Sequence, residues 1–360
     1  MRVFNFSAGP AMLPLEVLAQ AQAELTDWNS VGASVIEVSH RSKGFVACAE
    51  EAESGLRDIL GIPSNYKVLF LQGGASGQFD AIPMNLTKVG DSVDFLRTGQ
   101  WSKKAIEGSK RQGLEVNVIA DESATSFTTT PEPDSFTVGG DAKYLHYTPN
   151  ETIGGVEFSY IPATGATPLV ADFSSTILSR PLDVSQFGVI YAGAQKNMGP
   201  SGLVVVIVRD DLLGNARPST PQVLDWSAQA ENASMLNTPP TFAIYMLALV
   251  LNWIKTQGGL TAMAARNKEK ADTLYAAIDN SQFYANPVAV NARSWMNVPF
   301  TLANPDLDAD FLAKAAKAGL TDLKGHRSVG GMRASIYNAM PLAGVQALID
   351  FMEKYEAENS

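Results

Sequence analysis

The stretch Phe187-Gly188-Val189-Ile190-Tyr191-Ala192-Gly193-Ala194-Gln195-Lys196-Asn197-Met198-Gly199-Pro200-Ser201-Gly202 runs straight into the apolar segment Leu203-Val204-Val205-Val206-Ile207-Val208. Short apolar runs bounded by glycine and proline read as buried strands, here at Val189 to Tyr191 and Leu203 to Val208. One charge stands between them, Lys196. An amine at the end of a buried strand loses hydration, and desolvation lowers the pKa of a lysine. A lysine that is partly neutral near pH 7 can attack an aldehyde and hold it covalently. A loop lysine that merely follows a strand is the competing reading of this segment taken alone.

A second segment shifts that balance. Ala166-Thr167-Pro168-Leu169-Val170-Ala171-Asp172-Phe173-Ser174-Ser175 reads as a short buried strand ending in a carboxylate. Asp172 and Lys196 therefore fall at the ends of two successive strands, and in open α/β sheets ligands bind outside the carboxyl ends of strands. Pyridoxal phosphate requires both groups, a lysine for its aldehyde and an acid opposite its pyridinium nitrogen.

Outward from this centre, strands alternate with helical patterns. Leu15 to Asp27 and Phe45 to Leu60 have apolar residues at helical spacing, and Gly61 marks a stop. Strands are expected at Lys67 to Gln72, Asp91 to Leu96, Leu114 to Ile119, Lys143 to Tyr147 and Pro168 to Asp172, with a helix over Gln78 to Leu86. This alternation predicts an α/β fold, a mostly parallel sheet flanked by helices. After a helix over Thr241 to Trp253, Gly258-Gly259 breaks the pattern. Helices at Thr261 to Ile278 and Ala309 to Ala318 with strands near Met296 to Phe300 and Met332 to Ile336 predict a smaller α+β C-terminal domain. The expected division is a large domain over 16–259 and a small one from 1–15 with 260–360.

Bulk composition narrows the function classes. With 360 residues and 46% hydrophobic content, the chain can bury two cores. A formal net charge of −10 disfavours nucleic acid and anionic membranes as partners. The single cysteine, Cys48, excludes an intrachain disulfide framework, and three histidines without Cys/His spacing do not suggest zinc. Acidic neighbours, Glu50 and Glu51, do not favour a Cys48 thiolate. The N-terminal segment lacks the apolar core of a signal peptide, and the apolar run Phe242 to Leu251 is too short to cross a bilayer. A soluble cytoplasmic protein is expected.

Several groups suit an anionic ligand. Gly73-Gly74-Ala75-Ser76-Gly77 lies between a strand and a helix, where backbone N–H groups and the helix dipole favour a phosphate. Ordinary strand-to-helix turns look similar. Two of the three histidines precede an arginine, His40-Arg41 and His326-Arg327, and Arg333 follows soon after. The arginine fork binds carboxylate or phosphate with paired hydrogen bonds, although scattered surface charge gives such pairs too. Trp101 offers an indole to a planar ring. Asn237-Thr238-Pro239-Pro240 is a polar turn leading into an apolar helix.

These residues resemble the phosphoserine aminotransferase family, pyridoxal-phosphate enzymes of fold type I, the aspartate-aminotransferase fold. The similarity runs from Phe4-Asn5-Phe6-Ser7-Ala8-Gly9-Pro10-Ala11 to Arg333-Ala334-Ser335-Ile336-Tyr337-Asn338-Ala339-Met340-Pro341. Its most specific blocks are Glu37-Val38-Ser39-His40-Arg41, Asp172-Phe173-Ser174-Ser175, Gly193-Ala194-Gln195-Lys196-Asn197 and Gly325-His326-Arg327. The resemblance implies that Lys196 is the Schiff-base lysine, that Asp172 pairs with the pyridinium nitrogen and that Trp101 stacks on the ring. It places Thr152 near the phenolic oxygen, and Ala75, Ser76 and Gln195 at the cofactor phosphate, joined by Asn237 and Thr238 from a second subunit. Arg333 would take the substrate α-carboxylate. His40 and Arg41 of the partner chain, with His326 and Arg327, would take the distal phosphate or carboxylate.

The implied reaction moves an amino group from glutamate to 3-phosphohydroxypyruvate, giving O-phosphoserine and 2-oxoglutarate. It belongs to serine biosynthesis, and a role with 4-phosphohydroxythreonine in pyridoxine biosynthesis is also implied, in a homodimer with shared active sites. Some relatives carry Gly-Arg where this chain has Ala75-Ser76, which removes a cation near the phosphate. Some have serine in place of Ala8. A fold-type-I enzyme for another small amino acid and a cofactor-free anion-binding protein are the alternatives.

Overall fold

Val204 to Val208 shows how the sequence builds the main sheet. Val205 and Ile207 enter one apolar core while Val204, Val206 and Val208 enter another, so this strand is covered on both faces. The computed structural model describes residues 2–359. In chain order it runs through β1 (Phe4–Asn5), α1 (Leu15–Glu24), α2 (Lys43–Leu60), β2 (Tyr66–Leu71), α3 (Gly74–Leu86), β3 (Ser92–Arg97), α4 (Gln100–Arg111) and β4 (Glu115–Asp121). Then come β5 (Leu145–Tyr147), β6 (Asn150–Glu151), β7 (Val156–Glu157), β8 (Leu169–Asp172), β9 (Val189–Gly193), β10 (Val204–Arg209) and α5 (Trp226–Glu231). The remainder is α6 (Thr241–Thr256), α7 (Gly259–Asp279), β11 (Tyr284–Ala285), β12 (Asn297–Leu302), α8 (Asp308–Lys317), β13 (Leu320–Thr321), β14 (Met332–Ser335) and α9 (Leu342–Asn359).

Seven strands form the main sheet in the order β2-β10-β9-β8-β5-β3-β4. All neighbours are parallel except β10, which is antiparallel to both β2 and β9. The α/β fold with a mostly parallel sheet is as expected. Helices α1, α2 and α6 supply Val17, Phe45, Leu56, Ile244 and Leu251 to one core; α3, α4 and α5 supply Phe79, Ile106 and Trp226 to the other. Helix α2 has local reasons to start and stop. Ser42 Oγ accepts from the Phe45 N–H, and Gly61 at φ 63 donates its N–H to the Arg57 carbonyl. Gly55 lets α2 approach α6 closely, since a Cβ there would lie 3.2 Å from Leu251 Cδ1.

The C-terminal residues build a separate core from Leu274, Val298, Phe300, Phe311, Met332, Leu348 and Met352. Phe6 joins it from the other end of the chain, because β1 pairs in parallel with β13. The N-terminal segment then crosses to the main sheet, where the Ala11 N–H bonds the Gln195 carbonyl at 2.8 Å.

Helices α3, α4 and α9 differ from expectation, and the short α5 was not expected either. Helix α3 begins at Gly74 rather than Gln78, because Gly73 at φ 91 turns the chain and the Gly77 N–H already bonds the Gly73 carbonyl at 3.0 Å. Helix α4 was not expected because its inward face is mostly small, with Ser102, Ala105, Gly108 and Ser109 beside the single large apolar Ile106. Helix α9 was also unanticipated, although Val345, Leu348, Ile349, Met352 and Tyr355 give it a helical apolar stripe.

Candidate active site

Parallel pairing brings the carboxyl ends of β3, β5, β8 and β9 to one edge of the sheet. Asp172 ends β8, Lys196 follows β9, and Trp101 lies in the first turn of the helix after β3. Thr152 follows β6, and Arg333 lies on β14. The fold thus gathers five residues far apart in sequence.

Lys196 is 7% exposed, and its Nζ donates to Thr152 Oγ1 at 2.6 Å. The same nitrogen stands 5.7 Å from the Trp101 ring centroid. Burial pushes the amine down to about 8; the nearby Asp172 carboxylate opposes that shift, and the Arg333 guanidinium adds to it. Gly9 lies against this side chain, its missing Cβ 3.5 Å from both Gln195 Cγ and Lys196 Cγ.

Asp172 is buried and accepts from the Ser174 N–H at 3.0 Å. Burial raises its carboxyl pKa, while Lys196 and the Ser174 hydrogen bonds pull it back. Its cross-strand partner is Tyr191, whose hydroxyl bonds His146 Nε2 at 2.8 Å. Burial alone pushes His146 down to about 3, so this imidazole is neutral. Arg333 donates from Nη1 to the Thr152 carbonyl at 3.4 Å.

Ala75 and Ser76 occupy the first turn of α3, where backbone N–H groups lack intrahelical partners and the dipole favours an anion. His326 and Arg327 lie on the loop before β14. Burial lowers the His326 pKa, and Arg333, Arg327 and Lys104 lower it further, which marks a shared cationic region. Asn237 and Thr238 sit on the exposed turn before α6, with the Thr238 carbonyl accepting from Gln72 Nε2 at 3.0 Å. His40 and Arg41 lie on the loop before α2, Arg41 exposed. Among the described residues, no hydrogen bond or ion pair within the chain links these last four to Lys196, Asp172, Trp101 or Arg333.

The donor set fits pyridoxal phosphate. It offers a desolvated amine, a buried acid, an indole face and a helix N-terminus for the phosphate. Buried polar atoms of the same region also lack partners: Trp101 Nε1, Thr98 Oγ1 and Arg333 Nε. No group of three His, Cys, Asp or Glu suited to a metal ion occurs among the described residues. A cavity of about 510 Å³ between Arg2, Met12, Trp253, Lys270 and Met340 has none of these groups in its lining.

Sequence reasoning missed three features. Glu151 is a buried carboxylate beside Thr152, Tyr191 with His146 backs Asp172, and Lys104 Nζ lies 4.3 Å from the Trp101 ring centroid. Only the first had a legible signal, an acid amid Asn150, Thr152 and apolar flanks.

Comparison with known proteins places this geometry in context. The aminotransferase class-V family profile matches residues 3–348. A phosphoserine aminotransferase of Azotobacter vinelandii is 59% identical over 358 residues, 99% of each chain. The solved phosphoserine aminotransferase from Bacillus circulans subsp. alkalophilus superposes with a TM-score of 0.98 at 47% identity, covering 100% of this chain and 99% of that one. The phosphoserine aminotransferase from Trichomonas vaginalis, solved with pyridoxal phosphate bound, gives 0.93 at 44% identity, with coverage of 98% and 100%.

Proposed function

Since the chain belongs to the class-V aminotransferase family, we propose that it performs the phosphoserine aminotransferase reaction, a reversible transfer of the amino group of glutamate to 3-phosphohydroxypyruvate. It is a pyridoxal-phosphate-dependent transaminase, and its products are O-phosphoserine and 2-oxoglutarate, which places it in serine biosynthesis. The observation that carries the reading is the buried Lys196 amine, held by Thr152 within reach of Trp101 and under the influence of Asp172.

When bound, pyridoxal phosphate supplies an aldehyde for covalent attachment and a ring that accepts electrons from the substrate α-carbon. The chain supplies the rest. Lys196 anchors the cofactor, and once freed it moves a proton at the substrate α-carbon. Asp172 would pair with the ring nitrogen and keep it protonated. Trp101 would stack on the ring and Thr152 would contact its phenolic oxygen. N–H groups of Ala75 and Ser76, with Gln195, hold the phosphate, and Asn237 and Thr238 of a second subunit complete that cradle. Arg333 binds the α-carboxylate with its fork. His326 and Arg327, with His40 and Arg41 from the second subunit, bind the distal anion, so one pocket accepts both phosphoserine and glutamate.

This reading requires a homodimer, and the loop with half-buried His40 and exposed Arg41 and the exposed Asn237-Thr238 turn support it, being unattached to the site within one chain. We also infer a large cofactor-binding domain over 16–259 and a small domain from 1–15 with 260–360. The separate core that recruits Phe6 supports that division. In a chain of net charge −10, the cationic group formed by His326, Arg327, Arg333 and Lys104 is what suits a small anionic substrate. No helix among the described residues is long and apolar enough to cross a membrane. A cytoplasmic location is proposed on the single cysteine, Cys48, which suits a reducing compartment.

Single-turnover absorbance with each substrate tests the function. Glutamate should convert the cofactor-loaded enzyme, and 3-phosphohydroxypyruvate should restore it. Reaction with alanine but not glutamate would contradict the assignment.

A further inference from the structure

Glu151 is 1% exposed and lies at the end of β6, directly before Thr152. Its Oε2 accepts from the Trp101 N–H at 2.9 Å. Its Oε1 accepts from the Ser102 N–H at 2.8 Å and from Ser102 Oγ at 2.7 Å. Three donors converge on one carboxylate at the N-terminus of α4, where the helix dipole also favours negative charge. Gly99 makes this approach possible. A Cβ on Gly99 would lie 2.5 Å from Glu151 Cδ and 2.8 Å from its Cγ.

A buried ion without a single full countercharge is costly unless its hydrogen bonds are complete. No ion pair joins Glu151 among the described residues, so ordinary stability does not account for a glutamate here. A neutral N-cap such as serine would satisfy the helix end at lower cost. What the carboxylate does reach is the cofactor machinery on two sides. It fixes the backbone of Trp101, whose ring faces Lys196, and it directly precedes Thr152, whose hydroxyl holds the Lys196 amine.

We propose that Glu151 is a positioning residue for catalysis: it locks the Trp101 backbone to the Thr152 segment and, by its negative charge, favours the protonated Lys196 amine. The inference rests on the reading of Lys196 and Trp101 as cofactor residues. The charged groups around Lys196 are Asp172 at the end of β8, Arg333 on β14 and Glu151 on β6. Glu151 itself feels Asp172 as a like charge, and burial raises its own pKa against the pull of the Ser102 and Trp101 hydrogen bonds. Loss of the Glu151 charge leaves Arg333 less opposed, so the Lys196 ammonium becomes less favourable and its pKa falls below the wild-type value.

The test compares Glu151→Gln, Gly99→Ala and wild type as apoproteins titrated with pyridoxal phosphate. Cofactor capture is followed by tryptophan fluorescence and by its rate against pH. An amide presents an N–H2 group to donors that need an acceptor, so Glu151→Gln should weaken cofactor binding ~10-fold or more. Its capture-rate midpoint should also move to lower pH. Gly99→Ala, which displaces the carboxylate without removing its charge, should weaken binding with a smaller midpoint shift. If Glu151→Gln melts lower but matches wild type in affinity and midpoint, the residue is only structural and the proposal is overturned. If Glu151→Gln does not fold, Gly99→Ala decides by the same affinity comparison. Wild-type failure to capture the cofactor would instead overturn the functional reading itself.

Discussion

Lys196 Nζ donates to Thr152 Oγ1 at 2.6 Å, across 44 residues of sequence. The hydroxyl accepts from an amine whose burial has already pushed it down to about 8. An acceptor stabilises the ammonium form, so its removal lowers the amine pKa further. Thr152→Val should move the midpoint of cofactor capture to lower pH by roughly half a unit to one unit, the scale of one partial hydrogen-bond contribution. Stopped-flow capture rates from pH 6 to 10 would check this.

The Lys196 shift also fixes the sign of a stability effect. Below pH about 8 the amine is charged in both folded and unfolded chains, and the folded apoprotein bears the full burial cost. Between that value and the unfolded pKa of roughly 10.4, the unfolded chain holds a proton the folded one has released. Stability of the apoprotein therefore rises with pH through this window. Lys196→Met should be more stable than wild type at pH 7, and the advantage should shrink by pH 10. Denaturant melts at the two pH values measure it.

Arg41→Ala should impair substrates with a distal anion, such as glutamate, about tenfold or more in kcat/KM, the scale of a lost charge-assisted pair. Short substrates without that anion should change little. Steady-state kinetics with paired substrates distinguishes this from general loss of the site.

Lys270 is buried on α7, and its Nζ donates to the carbonyls of Ile336, Tyr337 and Met340 at 2.9, 2.7 and 3.0 Å. These carbonyls belong to the turn between β14 and α9. Lys270→Met leaves all three without this donor, and a loss of about 2–4 kcal/mol is expected from thermal or denaturant unfolding. The same turn carries Tyr337, whose hydroxyl donates to the Ala8 carbonyl at 2.8 Å, so KM should rise more than kcat falls.

Cys48 offers a simple control. Burial, then the charges of Glu51 and Glu24, push its thiol up to about 12. In native protein at pH 8 a maleimide or disulfide reagent should react far more slowly than with free cysteine, and at the normal rate after unfolding.

Much of this site was readable because its chemistry sits at strand ends. Asp172 and Lys196 terminate or follow strands whose apolar runs are unbroken, so both strand and charge stand out. Val189 to Tyr191 and Pro168 to Asp172 were located within a residue or two. Trp101 was legible but its helix was not, since α4 buries mostly small residues, Ser102, Ala105, Gly108 and Ser109, with Ile106 as its one large apolar group. Glu151 was hidden because its role depends on a carboxylate contact with Trp101 and Ser102, about 50 residues upstream. His146 likewise gave no sign of its place behind Asp172, which arises from the register of β5, β8 and β9. Side-chain period locates faces of elements, while convergence of three strands on one acid is a property of topology.

Borohydride reduction of the cofactor-loaded protein, followed by peptide mass mapping, tests the central claim most directly. Reduction should fix pyridoxal phosphate to the peptide containing Lys196 and to no other, with the visible absorbance lost in Lys196→Met. A label on Lys104, Lys270 or another lysine, or no label at all, would contradict the account.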